Sequence, residues 1–279
     1  KTVIMETLEE LQELAYRELD NYKIEYTGEE KEYVAVYLTS NNLFFPHDVE
    51  HFRWSVLEKD RFEWTRLKIR RATKHIFLRD IYKQWYASGV NAKINTIDKL
   101  IEWLRNEIKD YKSLIICGSS GGGYAAALIG SKLKADIVIS FNGQWYITDN
   151  IEHDGKVVSP VLKRMVEEGA DGVKYFDIAR SEFDYPRTFY FVSTRSPWDA
   201  RQLKRVSAFK NIHIIRFRNS HHGIPFLKSS LPRVLNMSYD ELCKLEKHSH
   251  LPLLFDVRIA GFVPTVKCLL HIINKKIFK

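Results

Sequence analysis

The chain has 279 residues, a net charge of +8, and 45% hydrophobic and 13% aromatic content. These are globular values, sufficient for one large α/β domain or two small ones. No run of 18 uncharged apolar residues occurs, which excludes a transmembrane helix, and three widely spaced cysteines, Cys117, Cys243 and Cys268, exclude a disulfide framework and suit a reduced, cytoplasmic protein.

No secretory signal is read at Lys1 to Ile4, and Lys1 in place of Met leaves room for residues ahead of it. The positive charge favours an anionic partner: a phosphate-bearing cofactor, an acidic polymer or a membrane surface. A generic basic surface accounts for it equally well.

Glu6 to Leu19 carries Leu8, Leu11, Leu14, Ala15 and Leu19 at helical spacing and predicts an amphipathic helix. Tyr22 to Tyr26 and Tyr33 to Leu38 read as strands around the polar turn Thr27 to Lys31, a hairpin or adjacent strands at the start of a sheet. Ser40, Asn41 and Asn42 follow in a polar turn, where a sheet of this kind places an oxyanion donor. The same residues equally make an ordinary turn. Phe44 to His47 are candidate pocket walls. Trp54 to Arg71 is aromatic and basic and predicts a helix or an excursion. His75 to Leu78 is a short strand that leads into Arg79-Asp80 and Trp85-Tyr86. A helix starts at Thr96, with Ile97, Leu100, Ile101, Leu104 and Ile108 on one face.

The next stretch organises the chain. Ser113 to Cys117 is an apolar, β-branched strand, Tyr124 to Leu128 an Ala-rich helix, and between them stands Gly118-x-Ser120-x-Gly122. A sharp strand-to-helix turn forces strained dihedrals on the serine, and glycines leave it room. It lifts Ser120 Oγ above the sheet edge and aims the Gly121 N–H at a developing oxyanion. A phosphate-binding loop would need Lys-Ser/Thr after the last glycine, where Tyr124-Ala125 stand. A dinucleotide fingerprint through Gly121, Gly123 and Ala126 wants an acid about 20 residues on. The strand Ala135 to Ser140 ends in Phe141-Asn142-Gly143 and offers none.

Gly143 to Tyr185 breaks the alternation, with Trp145, Tyr146, a polar turn at His153-Asp154-Gly155 and a helix near Pro160 to Glu168. This is the place of a cap insertion, about 143–187, in which Trp145 and Tyr146 serve as pocket walls or as core aromatics. The alternation resumes with the strand Thr188 to Ser193, a loop containing Trp198 and Asp199, the helix Ala200 to Phe209 and the strand Ile212 to Phe217. Trp198 and Asn142 complete the candidate substrate contacts at the strands' carboxyl edge. The whole order predicts an α/β fold: a mainly parallel sheet with helices on both faces and a cap insertion, functional loops at that edge.

A serine at such an elbow needs a base, and the base needs an acid to orient it. In this fold the order along the chain is Ser, acid, His. Ser120, Asp199 and His222 follow that order, each just after a strand. Gly223 frees the backbone at His222; His221 is the alternative base. The rival reading of Asp199 is an N-cap for the helix at Ala200. Adjacent His221 and His222 without an HExxH pattern give no metal site. Basic and aromatic residues interleave without a nucleic-acid recognition motif, so no nucleic-acid partner is assigned.

Gly118 to Gly122, Asp199 and His222, set in the alternation from Tyr33 to Leu235, resemble the α/β-hydrolase superfamily. Arg79-Asp80 with Trp85-Tyr86, Gly118 to Gly123 and Ser220 to Phe226 look more narrowly like the serine-dependent O-acetyltransferases and esterases of bacterial capsular and surface-polysaccharide synthesis. That resemblance implies an acyl-serine enzyme with no permanent cofactor, acetyl-CoA as acyl donor and a sugar hydroxyl as acceptor. It implies Ser120 as nucleophile, His222 as base, Asp199 as orienting acid, and an oxyanion hole from Gly121 with Ser40 or Asn41. The alternatives are an ester hydrolase and a non-catalytic polyanion-binding protein. An HGGG-type oxyanion segment is absent from the sequence.

The catalytic domain is placed at 1–250 and a tail at 251–279. From Arg258 to Lys279 there are five Lys/Arg and no acid, with Val266, Leu269, Leu270, Ile273 and Ile277 on one face of a helix after Pro264. Residues 258–279 therefore suit peripheral contact with the inner membrane. The same face also suits packing on the domain or on a second copy of the chain.

Overall fold

Tyr33-Val-Ala-Val-Tyr-Leu38, Ser113-Leu-Ile-Ile-Cys117 and Thr188-Phe-Tyr-Phe-Val192 are apolar on both faces of the pleat, the pattern of strands covered on both sides. The computed structural model describes residues 7–153, 156–157, 159–180, 183–185 and 187–277. Lys1 to Ile4, Asp154 and Gly155 of the polar turn, and Phe278 and Lys279 of the tail lie outside the described residues.

Helix α1 (Leu8–Glu18) begins at Thr7, whose side chain and that of Glu10 close a capping box. Strands β1 (Tyr22–Tyr26) and β2 (Tyr33–Leu38) follow, then α2 (Val49–Phe52), which runs directly into a π-helical turn at Arg53–Glu58. Strand β3 (Lys74–Leu78), helix α3 (Ile97–Ile108), strand β4 (Ser113–Ser119), helix α4 (Gly121–Leu133) and strand β5 (Ile137–Phe141) build the centre. The insertion carries a small antiparallel ladder, β6 (Glu152–His153) with β7 (Lys156–Val157), and α5 (Pro160–Glu167). Strand β8 (Thr188–Ser193), α6 (Pro197–Val206) and β9 (Ile212–Phe217) complete the sheet; α7 (Leu231–Val234), α8 (Tyr239–Glu246), α9 (Pro252–Ala260) and α10 (Phe262–Ile277) follow.

The seven strands lie in the order β1-β3-β2-β4-β5-β8-β9. All neighbours are parallel except β1, which runs antiparallel along β3. This is an α/β-hydrolase-like sheet. The hairpin expected from β1 and β2 does not form. β3 enters between them, because both faces of Lys74–Leu78 are buried and need a neighbour on each side, whereas the polar, half-exposed β1 suits an edge.

Alternate strand residues feed two cores. Val36, Ile76, Ile116, Val138 and Val192 pack under α3, α4 and α6. Tyr37, Phe77, Cys117, Ile139 and Phe191 pack under Phe62, Trp64, α7, α8 and Phe255 of α9. Each side chain so buried contributes about 1.5–3 kcal/mol, and parallel crossovers leave every strand's carboxyl end on one edge. Leu38, Leu78, Ser119, Phe141, Ser193 and Phe217 all end there.

The tail departs from the expected boundary at 251. Phe255 packs on Phe217 and Phe226, and buried Asp256 accepts from the Leu227 N–H at 2.9 Å and from the Ser230 hydroxyl, so α9 belongs to the body. A new helix starts at Phe262, ahead of Pro264, since proline is tolerated in a first turn. Other apolar side chains of the two helices stand in solvent: Leu254 is 64%, Phe262 69% and Leu270 53% exposed. Among the described residues no helix is long and apolar enough to cross a membrane.

Candidate active site

The elbow is built by close backbone approach. Ser120 sits at φ 54°, ψ −121°, between β4 and the first residue of α4. A Cβ on Gly118 would lie 2.2 Å from the Gly122 carbonyl oxygen, and one on Gly122 would lie 2.3 Å from that of Leu38. Only glycine fits at either position, because both obstacles are backbone. The Ser120 N–H donates to the Phe141 carbonyl at 2.9 Å, which ties the strained residue to β5.

Three side chains from three loops meet here. Ser120 Oγ lies 2.8 Å from His222 Nε2, and His222 Nδ1 lies 2.9 Å from Asp199 Oδ1. The carboxylate can only accept, so the proton rests on Nδ1; Nε2 then accepts from the serine hydroxyl. Asp199 is fully buried. It occupies the first turn of α6, whose cap is Ser196. The helix starts three residues earlier than its sequence pattern suggests, because Pro197 favours a first helical position, and this turns Asp199 from a cap into an inward-facing group. His221 is exposed, and its backbone rather than its ring is engaged: its carbonyl accepts from Ser193 Oγ at 2.6 Å.

Asn142 is not a substrate contact. Fully buried at φ 44°, it accepts the Ser193 N–H at 2.8 Å and donates to Ser193 Oγ at 2.9 Å and the Gly223 carbonyl at 2.8 Å. It staples the ends of β5 and β8 to the histidine loop.

The loop after β2 approaches the elbow because β2 and β4 are paired from Tyr33–Ser113 to Leu38–Gly118. Asn41 lies over Gly121: a Cβ on that glycine would come within 2.7 Å of Asn41 Oδ1 and 3.2 Å of Nδ2. The Gly121 N–H, at the start of α4, has no intrahelical acceptor. Ser40 is removed as an oxyanion donor, since its N–H and Oγ both donate to Glu63, at 2.9 and 2.8 Å. Loss of water around Glu63 lifts its carboxyl above the usual range, opposed by those two bonds.

A cavity of about 570 Å³ opens beside the triad, walled by Phe44, Trp85, Trp198, Asn41, Lys83 and His222, among others. Trp198 therefore takes the place expected of it. Trp145 does not: it is buried in the core, edge-on to Tyr185 and Tyr190. Tyr146 lies away from the cavity, its ring 3.7 Å from the Arg205 guanidinium carbon, and its backbone N–H donates to Gln202, which also receives the Trp145 N–H. Trp85 supplies the aromatic wall instead, with its indole N–H donating to Gln144 at 2.6 Å. Sequence reasoning missed Glu63, Lys83 and Gln202. Among the described residues no group of three His, Cys, Asp or Glu is placed to hold a metal ion.

No family model and no curated protein matches the sequence. Solved structures with a similar fold include a capsule O-acetyltransferase of Neisseria meningitidis serogroup A, at 12% identity over 71% of this chain and 82% of that one, with a TM-score of 0.46. They also include a thermophilic esterase of Thermogutta terrifontis, at 16% identity over 90% and 94% of the two chains, TM-score 0.44. A fluorophosphonate-binding serine hydrolase of Staphylococcus aureus aligns at 11% identity over 67% and 77%, TM-score 0.42. Likenesses this distant leave the chemistry to be argued from the site's own geometry.

Proposed function

We propose that the chain is an acyl-serine enzyme that moves an acyl group, in the first instance acetyl from acetyl-CoA, onto a hydroxyl of a bacterial surface or capsular polysaccharide. The observation that carries this reading is the continuous Ser120–His222–Asp199 relay on a strained elbow beside an open cavity. Ser120 Oγ attacks the acyl carbonyl carbon while its proton passes to His222 Nε2. Asp199 holds the ring and stabilises the imidazolium. The Gly121 N–H, with Asn41 beside it, receives the oxyanion in place of water. Collapse expels the coenzyme A thiolate, which takes the proton from His222. The acceptor hydroxyl then attacks the acyl-serine, gives its proton to His222, and the leaving Ser120 oxygen recovers a proton from the same ring.

Water in place of the sugar hydroxyl turns the same cycle into an esterase. The transferase reading draws support from the basic chain and from Trp85 and Trp198, flat walls suited to a sugar ring. The exposed apolar side chains of α9 and α10, with Arg258 and Lys267 and no acid after residue 256, support an accompanying role: a cytoplasmic enzyme resting on an anionic membrane surface. Mass spectrometry of reactions with acetyl-CoA and capsule oligosaccharides decides between the two enzymes. The transferase yields an oligosaccharide heavier by an acetyl group. Free acetate from simple esters, with acetyl-CoA untouched, selects the esterase and ends the transferase reading.

A further inference from the structure

The loop after β3 is held by a buried carboxylate. Asp80 Oδ2 accepts the Tyr86 N–H at 2.9 Å, and the backbone N–H groups of Tyr82, Lys83 and Gln84 also turn toward it. Wrapped around Asp80, the chain takes positive φ at Lys83 (55°), Trp85 (54°) and Tyr86 (62°). Three non-glycine residues in the left-handed region within four positions is strain that a surface turn would avoid, and it persists because the surroundings over-determine it. Its product is the cavity wall: Tyr82, Lys83 and Trp85 all face the opening that His222 also lines.

Lys83 is the unusual member. Its Nζ is buried, sits 3.5 Å from the centre of the Phe44 ring, and has no hydrogen-bond acceptor among the described residues. The described lining contains no Asp or Glu, and Lys83 is its one lysine or arginine, with His47 and His222 as the other titratable bases. Burial pulls the Lys83 ammonium down to about 7, against the pull of Asp80 in the other direction. A desolvated ammonium with three donors, an aromatic face against it and no hydrogen-bond acceptor among the described residues costs free energy unless a ligand answers it.

We propose that Lys83 is a specificity residue that receives a carboxylate of the acyl acceptor, so that the substrate class is an acidic, uronate-type sugar. The inference rests on the acyl-serine reading for its acceptor, while its recognition chemistry stands on the cavity alone. A carboxylate rather than a phosphate follows from the count of cations. One lysine, with the neutral Gln12, Asn41, Gln144 and Ser159 and the two histidines as further polar lining, matches a monoanion, whereas a phosphate dianion calls for several cationic donors or an arginine fork. Trp85 and Trp198 then take the faces of the ring while Lys83 takes its acid group.

The test uses the full chain and an isosteric pair, methyl glucuronide and methyl glucoside, which differ in carboxylate against hydroxymethyl. Binding is read by fluorescence of the cavity tryptophans, without turnover. The uronate is expected to bind about tenfold more tightly than the glucoside, a ratio that falls to near one in Lys83→Met and returns in Lys83→Arg, in keeping with a charge-assisted contact. Equal ratios in wild type and Lys83→Met overturn the inference, as does a preference for methyl glucoside 6-phosphate over the uronate. Labelling of Ser120 by a fluorophosphonate, run on the same preparation, reports the acyl-serine reading separately. Uronate selectivity lost with Lys83 stands whether or not that label attaches.

Discussion

Replacing Asn142 with Ala removes the staple behind the histidine without touching the triad. The wild-type amide accepts the Ser193 N–H and donates to Ser193 Oγ, both in the interior, and donates to the half-buried Gly223 carbonyl. Ser193 Oγ keeps a partner in the His221 carbonyl, so the substitution orphans one buried group, the Ser193 N–H, and one half-buried group, the Gly223 carbonyl. At about 1–3 kcal/mol for the buried orphan and less for the half-buried one, the variant loses roughly 2–4 kcal/mol, a large share of the ~5–15 kcal/mol that holds a native protein together. At about 3 °C per kcal/mol the midpoint of thermal unfolding drops by ~10 °C. The Gly223 carbonyl belongs to the loop that carries His222, and a displacement of about 1 Å there costs on the order of 100-fold in rate. Differential scanning calorimetry and the rate of ester turnover at a temperature where the variant is folded check both numbers. An unchanged midpoint together with an unchanged rate would refute the staple and restore Asn142 to the list of ligand contacts.

Gly122→Ala should lose both folding yield and Ser120 reactivity, since its Cβ would stand 2.3 Å from the Leu38 carbonyl oxygen and backbone cannot step aside; a soluble, fully reactive variant would contradict the packing described for the elbow. Burial holds the His75 imidazole at about 4, below its ordinary 6.5, between Thr27 Oγ1 and the Tyr37 hydroxyl. The folded state keeps this ring neutral while the unfolded chain protonates it, so its contribution is complete above pH 6.5 and is lost as pH falls toward 4. The stability advantage of wild type over His75→Gln in urea melts should therefore shrink by about 3 kcal/mol across that window, and an advantage independent of pH counts against the assignment. Truncation after Gly261, which retains the buried Phe255 and Asp256, should abolish sedimentation with anionic vesicles at low salt and leave the body folded; a full-length chain that ignores such vesicles removes the membrane role.

The meeting of Ser120, His222 and Asp199 was legible because its signals are local and ordered. Ser120 needs glycines at 118 and 122 for room, Asp199 and His222 each follow an apolar strand, and chain order does the rest. Strand pairing was legible only where covering on both faces left one solution; nothing in Tyr22–Tyr26 says that its partner is β3, where Tyr22 pairs with Leu78, rather than β2. The aromatics show the same limit. Trp85 and Trp145 are indistinguishable as residues, and what places one at the cavity and the other in the core is the turn around Asp80 in one case and the contact with Tyr185 and Tyr190 in the other. Ser40 and Asn41 are adjacent polar turn residues, and only Glu63, reaching in from 23 positions away, takes one of them out of the site. Lys83 carried no sequence signal, because its meaning lies in what does not surround it.

The proposed chemistry requires Ser120 to be a nucleophile activated by His222. Intact-mass analysis after incubation with a fluorophosphonate, followed by peptide mapping, reads that directly, since the serine oxygen displaces fluoride from phosphorus and the adduct stays on the protein. A single adduct is expected on the peptide that contains Ser120, absent in Ser120→Ala and formed far more slowly in His222→Ala. A folded wild-type chain that takes no label, or a Ser120→Ala variant labelled to the same extent, would contradict it.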